Sequence, residues 1–197
     1  MTETIELLLA GLLGYLVGAV PTGVLVCRAV CSPDVRQQGS GHTGGLNVSR
    51  TAGIWAGMLT AAMDALLGAA AVAGTTLLTG NSWAAALAGI MAVVGHDWSI
   101  FIQFEGGIGL AKLSGAMLCL APTTVPALKA LAIFVSSWLI LIGLLRVHRA
   151  RSTILVMAAA GPLLWVLGLP LPCILLGMVG GAVVIVKTTP DWNRQYG

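Results

Sequence analysis

The chain has 197 residues, of which 57% are hydrophobic and only 9% are charged, and its mean hydropathy is +0.95. Soluble domains carry about 25% charged residues, so this chain has too few charges to cover a water-facing surface. This composition excludes a secreted disulfide scaffold, a coiled coil and a disordered tail. A net charge of +3 is also too small for a nucleic-acid-binding surface. We therefore expect a single all-α, polytopic membrane domain over residues 1–197.

The apolar stretches of the chain predict about seven membrane-spanning helices. These stretches cover residues 5–26, 52–78, 83–104, 113–145 and 153–186. The fourth is longer than the ~20 residues of one span and contains Pro122 and Pro126, so it should fold as two helices. The fifth should divide in the same way at residues 168–172, which read GLPLP. Several of these helices are short, so tilt or local thinning of the bilayer should help them cross.

The basic residues predict the orientation of the chain. If residues 27–51 are cytoplasmic, the alternating loops place nine of the ten Lys and Arg residues on one side and Lys129 alone on the other. Cytoplasmic loops carry such an excess of bases. We therefore expect a multi-pass protein of the inner (plasma) membrane with its N-terminus outside and its C-terminus cytoplasmic. Residues 1–6 have two acids and no base, unlike a cleaved signal peptide, so the first span should be retained.

The stretch GSGHTGGLNVSR, residues 39–50, indicates an anion-binding loop. Its glycines allow successive backbone N–H groups to turn toward one point, which is how a chain binds phosphate without a cation. Ser40, His42 and Asn47 add polar side chains, and Arg50 can add a bidentate phosphate contact. Many glycine-rich loops are only flexible surface turns, so that interpretation stays open at this point.

A second polar cluster, GHDWSIFIQFEGGIGLAK, covers residues 95–112. It places His96 beside a partner acid, Asp97, at the predicted membrane face. Three glycines that follow predict another turn at which the backbone can approach a neighbour or a ligand closely: Gly106, Gly107 and Gly109.

Three further features have competing interpretations. Asp64 lies within the second span, where inserting an acid into the membrane costs about 2.5–3.5 kcal/mol. Such an acid normally has a partner or faces a polar cavity. Asp64 is therefore expected either to brace the fold or to take part in catalysis. The cysteines are expected to be reduced packing residues, with no metal; the alternative is a metal site of Cys27, Cys31 and His42. A basic group is predicted to anchor the topology and to touch anionic lipid: Arg146, His148, Arg149 and Arg151.

In order and spacing, these motifs resemble the bacterial acyl-phosphate:glycerol-3-phosphate acyltransferases of the PlsY type. Residues 18–23, GAVPTG, are similar to the GSIPFG of that family. Residues 39–50 are similar to its GSGNxGATNxxR loop, and residues 64–68 to its DxLKG motif. Residues 95–109 are similar to GHxxPxFxxFKGGKG, and the resemblance covers nearly the whole chain.

The resemblance implies an enzyme of phospholipid biosynthesis that needs no cofactor, metal or nucleotide. It would move a fatty acyl group from acyl phosphate to the first hydroxyl of glycerol 3-phosphate at the cytoplasmic leaflet, producing lysophosphatidic acid. Its partners would be these substrates and membrane lipid, with no nucleic acid. Catalytic roles are implied for Ser40, Asn47 and His96, and a bracing role for Asp64. The implied substrate-binding residues are Gly39, Gly41, His42, Gly44, Gly45, Arg50, Gly106, Gly107 and Gly109.

The chain departs from that family at several positions. The lysines of DxLKG and FKGGKG are Leu67, Glu105 and Ile108 here. The asparagine after GSG is His42, and that of a C-terminal HRxNIxR motif is Asp191. The alternative function is therefore a non-catalytic or altered-acceptor relative that binds lipid or an anionic ligand. A small-anion transporter is disfavoured because the chain has no internal repeat.

Overall fold

The structure is a computed structural model that describes residues 2–30, 33–121 and 124–194, and these ranges are all-helical. Short 3-10 turns and one π-helical turn, Ile140–Leu144, join or extend the helices. The α-helices of the described ranges are α1 (Glu3–Gly18), α2 (Thr22–Ala29), α3 (Gly45–Ala52), α4 (Ile54–Thr79), α5 (Ser82–Asp97), α6 (Leu110–Leu120), α7 (Thr124–Leu139), α8 (Arg149–Ala158), α9 (Ala160–Val166) and α10 (Leu171–Thr188).

Within the described residues, five helical segments are long and apolar enough to cross a membrane: Glu3–Ala29, Ile54–Thr79, Ser82–Ile102, Val125–Leu144 and Leu171–Asp191. The 26 residues of α4 extend about 39 Å, which exceeds a hydrocarbon core of about 30 Å. Two other apolar segments are shorter, because α6 has only 11 residues and the helix formed by α8 and α9 is interrupted at Ala159. The expectation of an all-α membrane protein is confirmed, whereas seven spans stay a prediction.

The first apolar stretch contains a break that sequence analysis did not predict. α1 ends at Gly18 and α2 begins at Thr22, because Pro21 has no N–H to continue the helical hydrogen bonds. The hydroxyl of Ser99 donates to the carbonyl of Ala19 at 2.5 Å and so satisfies a backbone group at the break. The break brings Thr22 to the buried side of the helix.

The fourth and fifth apolar stretches divide as predicted. Pro126 lies in the first turn of α7, where its missing N–H costs no helical hydrogen bond, while Pro122 lies outside the described residues. The fifth stretch divides at Gly168, which has a left-handed φ of 71°. It also has an additional break at Ala159, because Pro162 cannot donate to the carbonyl four residues before it.

Small residues allow the helices that carry polar groups to pack closely. A Cβ added to Gly18 of α1 would lie 2.1 Å from the carbonyl oxygen of Ala92 on α5. A Cβ added to Gly68 of α4 would lie 2.1 Å from the carbonyl oxygen of Lys112 on α6. Such close contacts at small residues are typical of membrane helices. The contact at Gly68 brings Lys112 next to Asp64, which lies one turn earlier on α4.

α7 is a peripheral helix. Only 11% of the most apolar 18-residue stretch of this span is buried within the protein, compared with 61% of the corresponding stretch of the span that contains α5. It packs on α6 and α8 but leaves an apolar cavity between itself and these helices. The shape of this cavity therefore depends on where α7 and α8 lie.

Candidate active site

A cavity of about 260 Å³ lies where the loop of residues 39–50 meets α4, α5, the turn before α6, and the ends of α8 and α10. The predicted site residues that line it are Ser40, His42, Gly44, Gly45, Asn47, Arg50, Asp64, His96 and Gly109. Four predicted substrate-binding glycines are not among the residues that line it: Gly39, Gly41, Gly106 and Gly107. The two glycine-rich clusters thus share one cavity.

Asn47, on the first turns of α3, organises the glycine-rich loop. Its side-chain nitrogen lies 2.9–3.0 Å from three backbone carbonyl oxygens, those of Val35, Gln38 and His42, which share its two N–H donors. Its side-chain oxygen accepts from the backbone N–H of Ser40 at 3.1 Å. The amide is 3% exposed and all of its hydrogen-bonding groups are used. These contacts fit a positioning residue, and the predicted catalytic role of Asn47 stays a prediction.

His42 connects the loop to two distant parts of the chain. Its Nε2 lies 2.5 Å from Oδ2 of Asp191, in the 3-10 turn after α10, and its Nδ1 lies 3.4 Å from the carbonyl oxygen of Gly106. Asp191 also accepts from Arg194 at 3.2 Å. The contact between His42 and Asp191 therefore ties the loop to the turn after α10.

A buried polar cluster centred on Asp64 forms the inner wall of the cavity. Oδ1 of Asp64 accepts from the hydroxyl of Thr22 at 2.6 Å and from Nζ of Lys112 at 2.9 Å. Nδ1 of His96 lies 3.5 Å from the same oxygen. All four residues are at most 5% exposed. The cluster connects α2, α4, α5 and α6 through Asp64, which is the arrangement expected of an acid that braces the fold. The role of Asp64 stays a prediction.

The predicted pairing of His96 with Asp97 is wrong. Asp97 is completely buried, and neither of its carboxylate oxygens has a hydrogen-bond partner among the described residues. His96 turns to Asp64 instead, since neighbouring residues on a helix do not face each other. The backbone carbonyl of Asp97 accepts from Nζ of Lys187 at 2.6 Å, which fixes the end of α5 to α10.

The second glycine cluster packs around His96. A Cβ added to Gly106 would lie 2.0 Å from the carbonyl oxygen of His96, and one added to Gly107 would lie 2.1 Å from its Nε2. Gly109, with a left-handed φ of 69°, turns the chain into α6. The glycines therefore allow the backbone to pass directly over the imidazole. Nδ1 of His96 faces Asp64, and the predicted catalytic role of His96 stays a prediction.

Glu105, which replaces a family lysine, does not line the cavity. Its carboxylate lies 3.1 Å from the guanidinium of Arg36, which also hydrogen-bonds to Asp34 at 2.7 Å. The Arg36 guanidinium lowers the pKa of the Asp34 carboxyl below its usual value, chiefly through this hydrogen bond. The negative charge of Glu105 is therefore paired outside the site. Ile108, in contrast, lines the cavity and makes that part of its wall apolar.

Sequence analysis missed the residues that α7 and α8 contribute. The cavity is also lined by Trp138, Arg149 and Thr153. The indole N–H of Trp138 donates to the hydroxyl of Thr153 at 3.0 Å. Arg149 and Thr153 are four residues apart and share one face of α8. This spacing was a signal in the sequence, but the basic group that contains Arg149 had been interpreted only as an anchor to lipid.

A second, apolar cavity of about 250 Å³ adjoins the first. It lies between α6, α7, α8, α9 and α10, and the two cavities share Leu110, Trp138 and Thr153. From this junction it follows α7 back to Ala127, 11 residues earlier, which corresponds to about 16 Å of helix. Its walls are aliphatic and aromatic side chains, so the two cavities together offer a polar end and an apolar end.

The alternative metal site is not supported by the described residues. Cys27 is buried, His42 is engaged by Asp191, and Cys31 lies outside the described residues. In residues 2–30, 33–121 and 124–194, no group of three or more His, Cys, Asp or Glu side chains could hold a metal ion.

Comparisons with known proteins match both the sequence and the fold. The profile of the glycerol-3-phosphate acyltransferase family matches residues 8–196. Relatives named glycerol-3-phosphate acyltransferase include one from Synechococcus sp. (strain JA-3-3Ab), 42% identical over 98% of this chain and 92% of its own. Another, from Rubrobacter xylanophilus, is 40% identical over 92% of this chain and 86% of its own.

The fold is similar to a crystal structure of PlsY (YgiH), an integral membrane glycerol 3-phosphate acyltransferase, in its glycerol 3-phosphate form. The TM-score is 0.80 at 27% identity, over 95% of this chain and 90% of the other. The lysophosphatidic acid form of that protein gives a TM-score of 0.79 at 26% identity. The predicted resemblance is confirmed, and the chain belongs to the glycerol-3-phosphate acyltransferase family.

Proposed function

We propose that the protein is a membrane acyltransferase of phospholipid synthesis that moves a fatty acyl group from acyl phosphate to glycerol 3-phosphate and forms lysophosphatidic acid. Membership of the family supports the reaction class. The observation that carries the proposal is that a cavity lined by polar groups and an apolar cavity lie side by side and share three lining residues, Leu110, Trp138 and Thr153. An acyl phosphate has the same two parts, a charged head and a hydrocarbon tail.

The acyl chain would lie in the apolar cavity. This cavity extends about 16 Å from the junction, between α7 and the body of the protein. Each buried CH₂ group gains about 0.8 kcal/mol relative to water, so the tail can supply much of the binding energy. The carbonyl carbon would then lie at the junction, beside Trp138, with its phosphate in the polar cavity.

Glycerol 3-phosphate would bind in the polar cavity against the glycine-rich loop. Arg50 and the backbone at Gly44 and Gly45 are the proposed phosphate contacts, and Ser40 can donate from its hydroxyl. His42, held by Asp191, fixes the position of the loop on this side. Asn47 acts by holding the loop in shape.

The reaction needs little covalent chemistry from the protein, because acyl phosphate is already activated. The acceptor hydroxyl oxygen bonds to the carbonyl carbon, the bond from that carbon to the phosphate oxygen breaks, and inorganic phosphate leaves. Nδ1 of His96 faces Asp64, and we assign the proton of the acceptor hydroxyl to the departing phosphate. His96 then shapes the wall beside Asp64, and catalysis comes from positioning two anions.

We also propose that the polar cavity opens to the cytoplasm. Nine of the ten basic residues fall on that side if the N-terminus is outside, which supports an inner-membrane protein with a cytoplasmic C-terminus. Fusion of a fluorescent reporter that folds only in the cytoplasm to the C-terminus tests this orientation. A fluorescent fusion is expected, and a dark one of equal abundance would contradict the proposal.

The test of the function is phosphate release from palmitoyl phosphate by purified protein, with and without glycerol 3-phosphate. We expect release that depends on the acceptor and that falls at least tenfold in Arg50→Gln, because a charge-assisted contact is lost. Arg28→Gln, which removes an exposed base outside the cavity, is the matched control. Release that glycerol or another alcohol supports, but glycerol 3-phosphate does not, would favour an altered acceptor. No release from folded protein would favour a non-catalytic relative.

A further inference from the structure

Arg149 occupies a position in the cavity that an anchor to lipid would not need. It begins α8 and lines the polar cavity, and its Nη1 is buried without a hydrogen-bond partner among the described residues. A buried guanidinium N–H without an acceptor carries a desolvation cost that a bound anion would remove.

Other polar side chains of the cavity have partners within the protein. Asp64 binds Lys112, and His42 binds Asp191. Of the residues that line the cavity, Arg50 and Arg149 are the arginines, and they come from opposite walls, α3 and α8. Two anionic substrates must meet in this cavity, so two separated cationic positions match the requirement.

The location of Arg149 indicates which substrate it serves. Thr153, one turn further along the same face of α8, lines both the polar and the apolar cavity. One helical turn is about 5.4 Å, which a guanidinium on a flexible stem can span. The phosphate of an acyl phosphate is bonded to the acyl carbonyl carbon, so it must lie just on the polar side of this junction.

We infer that Arg149 binds the phosphate group of the acyl donor at the junction of the two cavities. The inference rests on the proposed function and adds a residue from α8 to its site. Arg149 would hold the leaving group, while the loop of residues 39–50 holds the acceptor. Ile108, which also lines the cavity, is apolar and offers the phosphate no charge.

Arg151 provides a matched control for charge. It lies two residues along α8 but is exposed, with Nη2 2.8 Å from Oδ1 of Asn193 and its guanidinium 5.2 Å from the centre of the Trp192 ring. Arg149→Gln and Arg151→Gln change the net charge of the same basic segment equally. Only the first removes a group from the cavity.

The experiment compares steady-state kinetics of the wild type, Arg149→Gln, Arg149→Lys and Arg151→Gln. We expect Arg149→Gln to raise the KM for palmitoyl phosphate about 10- to 100-fold, while the KM for glycerol 3-phosphate changes less than about twofold. Arg149→Lys should fall between, because an ammonium keeps the charge but lacks the bidentate geometry. A rise in the KM for glycerol 3-phosphate instead, or equal effects of Arg149→Gln and Arg151→Gln, would overturn the inference.

A binding measurement makes the test independent of turnover. Palmitoyl phosphate without acceptor should raise the unfolding temperature of the wild type and of Arg151→Gln, but much less that of Arg149→Gln. Equal stabilisation of Arg149→Gln and the wild type would overturn the inference even if both are inactive. Selective loss of stabilisation in Arg149→Gln would support it even if lysophosphatidic acid is never formed, so the two proposals can fail separately.

Discussion

The ion pair between Lys112 and Asp64 should be a major determinant of stability, and Lys112→Met tests this. Lys112 is completely buried, Asp64 is 2% exposed, and the ammonium lies 2.9 Å from the carboxylate oxygen. Methionine is similar in length and apolar, so the substitution removes the charge with little change in packing. Asp64 would keep its hydrogen bond from Thr22 but lose its cation.

The expected cost follows from the surroundings of the pair. At 2.9 Å and an effective dielectric of 20, the attraction is about 6 kcal/mol, most of which offsets the cost of burying both charges. Removing one partner leaves the other charge uncompensated, which costs about 3–5 kcal/mol. For a chain of this size, each kcal/mol lowers the unfolding temperature by about 2–4 °C. We expect Lys112→Met to unfold roughly 6–20 °C below the wild type.

Thermal unfolding of the purified protein in detergent, followed by circular dichroism, measures the effect. Lys129→Met, on the exposed face of α7, is the matched control and should change the unfolding temperature little. The double variant Asp64→Asn with Lys112→Met should recover much of the loss, because neither charge then remains buried. The reasoning is refuted if Lys112→Met behaves like Lys129→Met, or if the double variant is as unstable as the sum of the two single variants.

Three further predictions concern the loop and the turn. Asp191→Asn should lower kcat/KM, because it weakens the contact that holds His42. If the two residues act together, adding His42→Asn to this variant should lower kcat/KM little further. Additive losses of kcat/KM in this double-mutant cycle would contradict the coupling. Gly107→Ala should lower kcat/KM strongly, because its Cβ would lie 2.1 Å from Nε2 of His96. Gly74→Ala is the control, since its Cβ would meet nothing within 4 Å. Equal activities of the two variants would contradict this prediction. Asn47→Ala should lower stability by about 1–3 kcal/mol in thermal unfolding, since it leaves loop carbonyls unpaired, and an unchanged unfolding temperature would count against its positioning role.

The sequence predicts the helices well because membrane composition leaves few alternatives. Apolar stretches must form helices to satisfy their backbone groups, so the division of the fourth and fifth stretches follows from length and proline alone. The breaks at Pro21 and Ala159 are harder to predict. A proline inside an apolar stretch can kink, end or merely begin a helix, and the outcome depends on neighbours such as Ser99, which satisfies a freed carbonyl.

The sequence indicates those candidate site residues that lie close together along the chain. It does not indicate those that come from distant parts of the chain. The loop of residues 39–50 shows its chemistry in its glycines and polar side chains. The partner of His96 was wrongly predicted, because Asp97 is adjacent in sequence while Asp64 is close only in space. Arg149 was missed for a related reason, since its distance from the cavity depends on how α8 packs against the loop.

The structure explains in part how the chain accommodates Glu105 at a position where its family motif has a lysine. Glu105 pairs with Arg36 outside the cavity, so it does not place a negative charge among the phosphate contacts. Lys112 contributes a buried cation from α6, but Asp64 neutralises it. The cations proposed to face the substrates are therefore arginines, Arg50 on the loop and Arg149 on α8.

The central claim is that both substrates react in one continuous cavity, and product stoichiometry tests it most directly. Purified protein in lipid nanodiscs receives palmitoyl phosphate and isotopically labelled glycerol 3-phosphate, and mass spectrometry and a phosphate assay follow the products together. The account predicts one labelled lysophosphatidic acid for each phosphate released. Phosphate release without labelled lysophosphatidic acid, or no release by folded protein that binds palmitoyl phosphate, would contradict it.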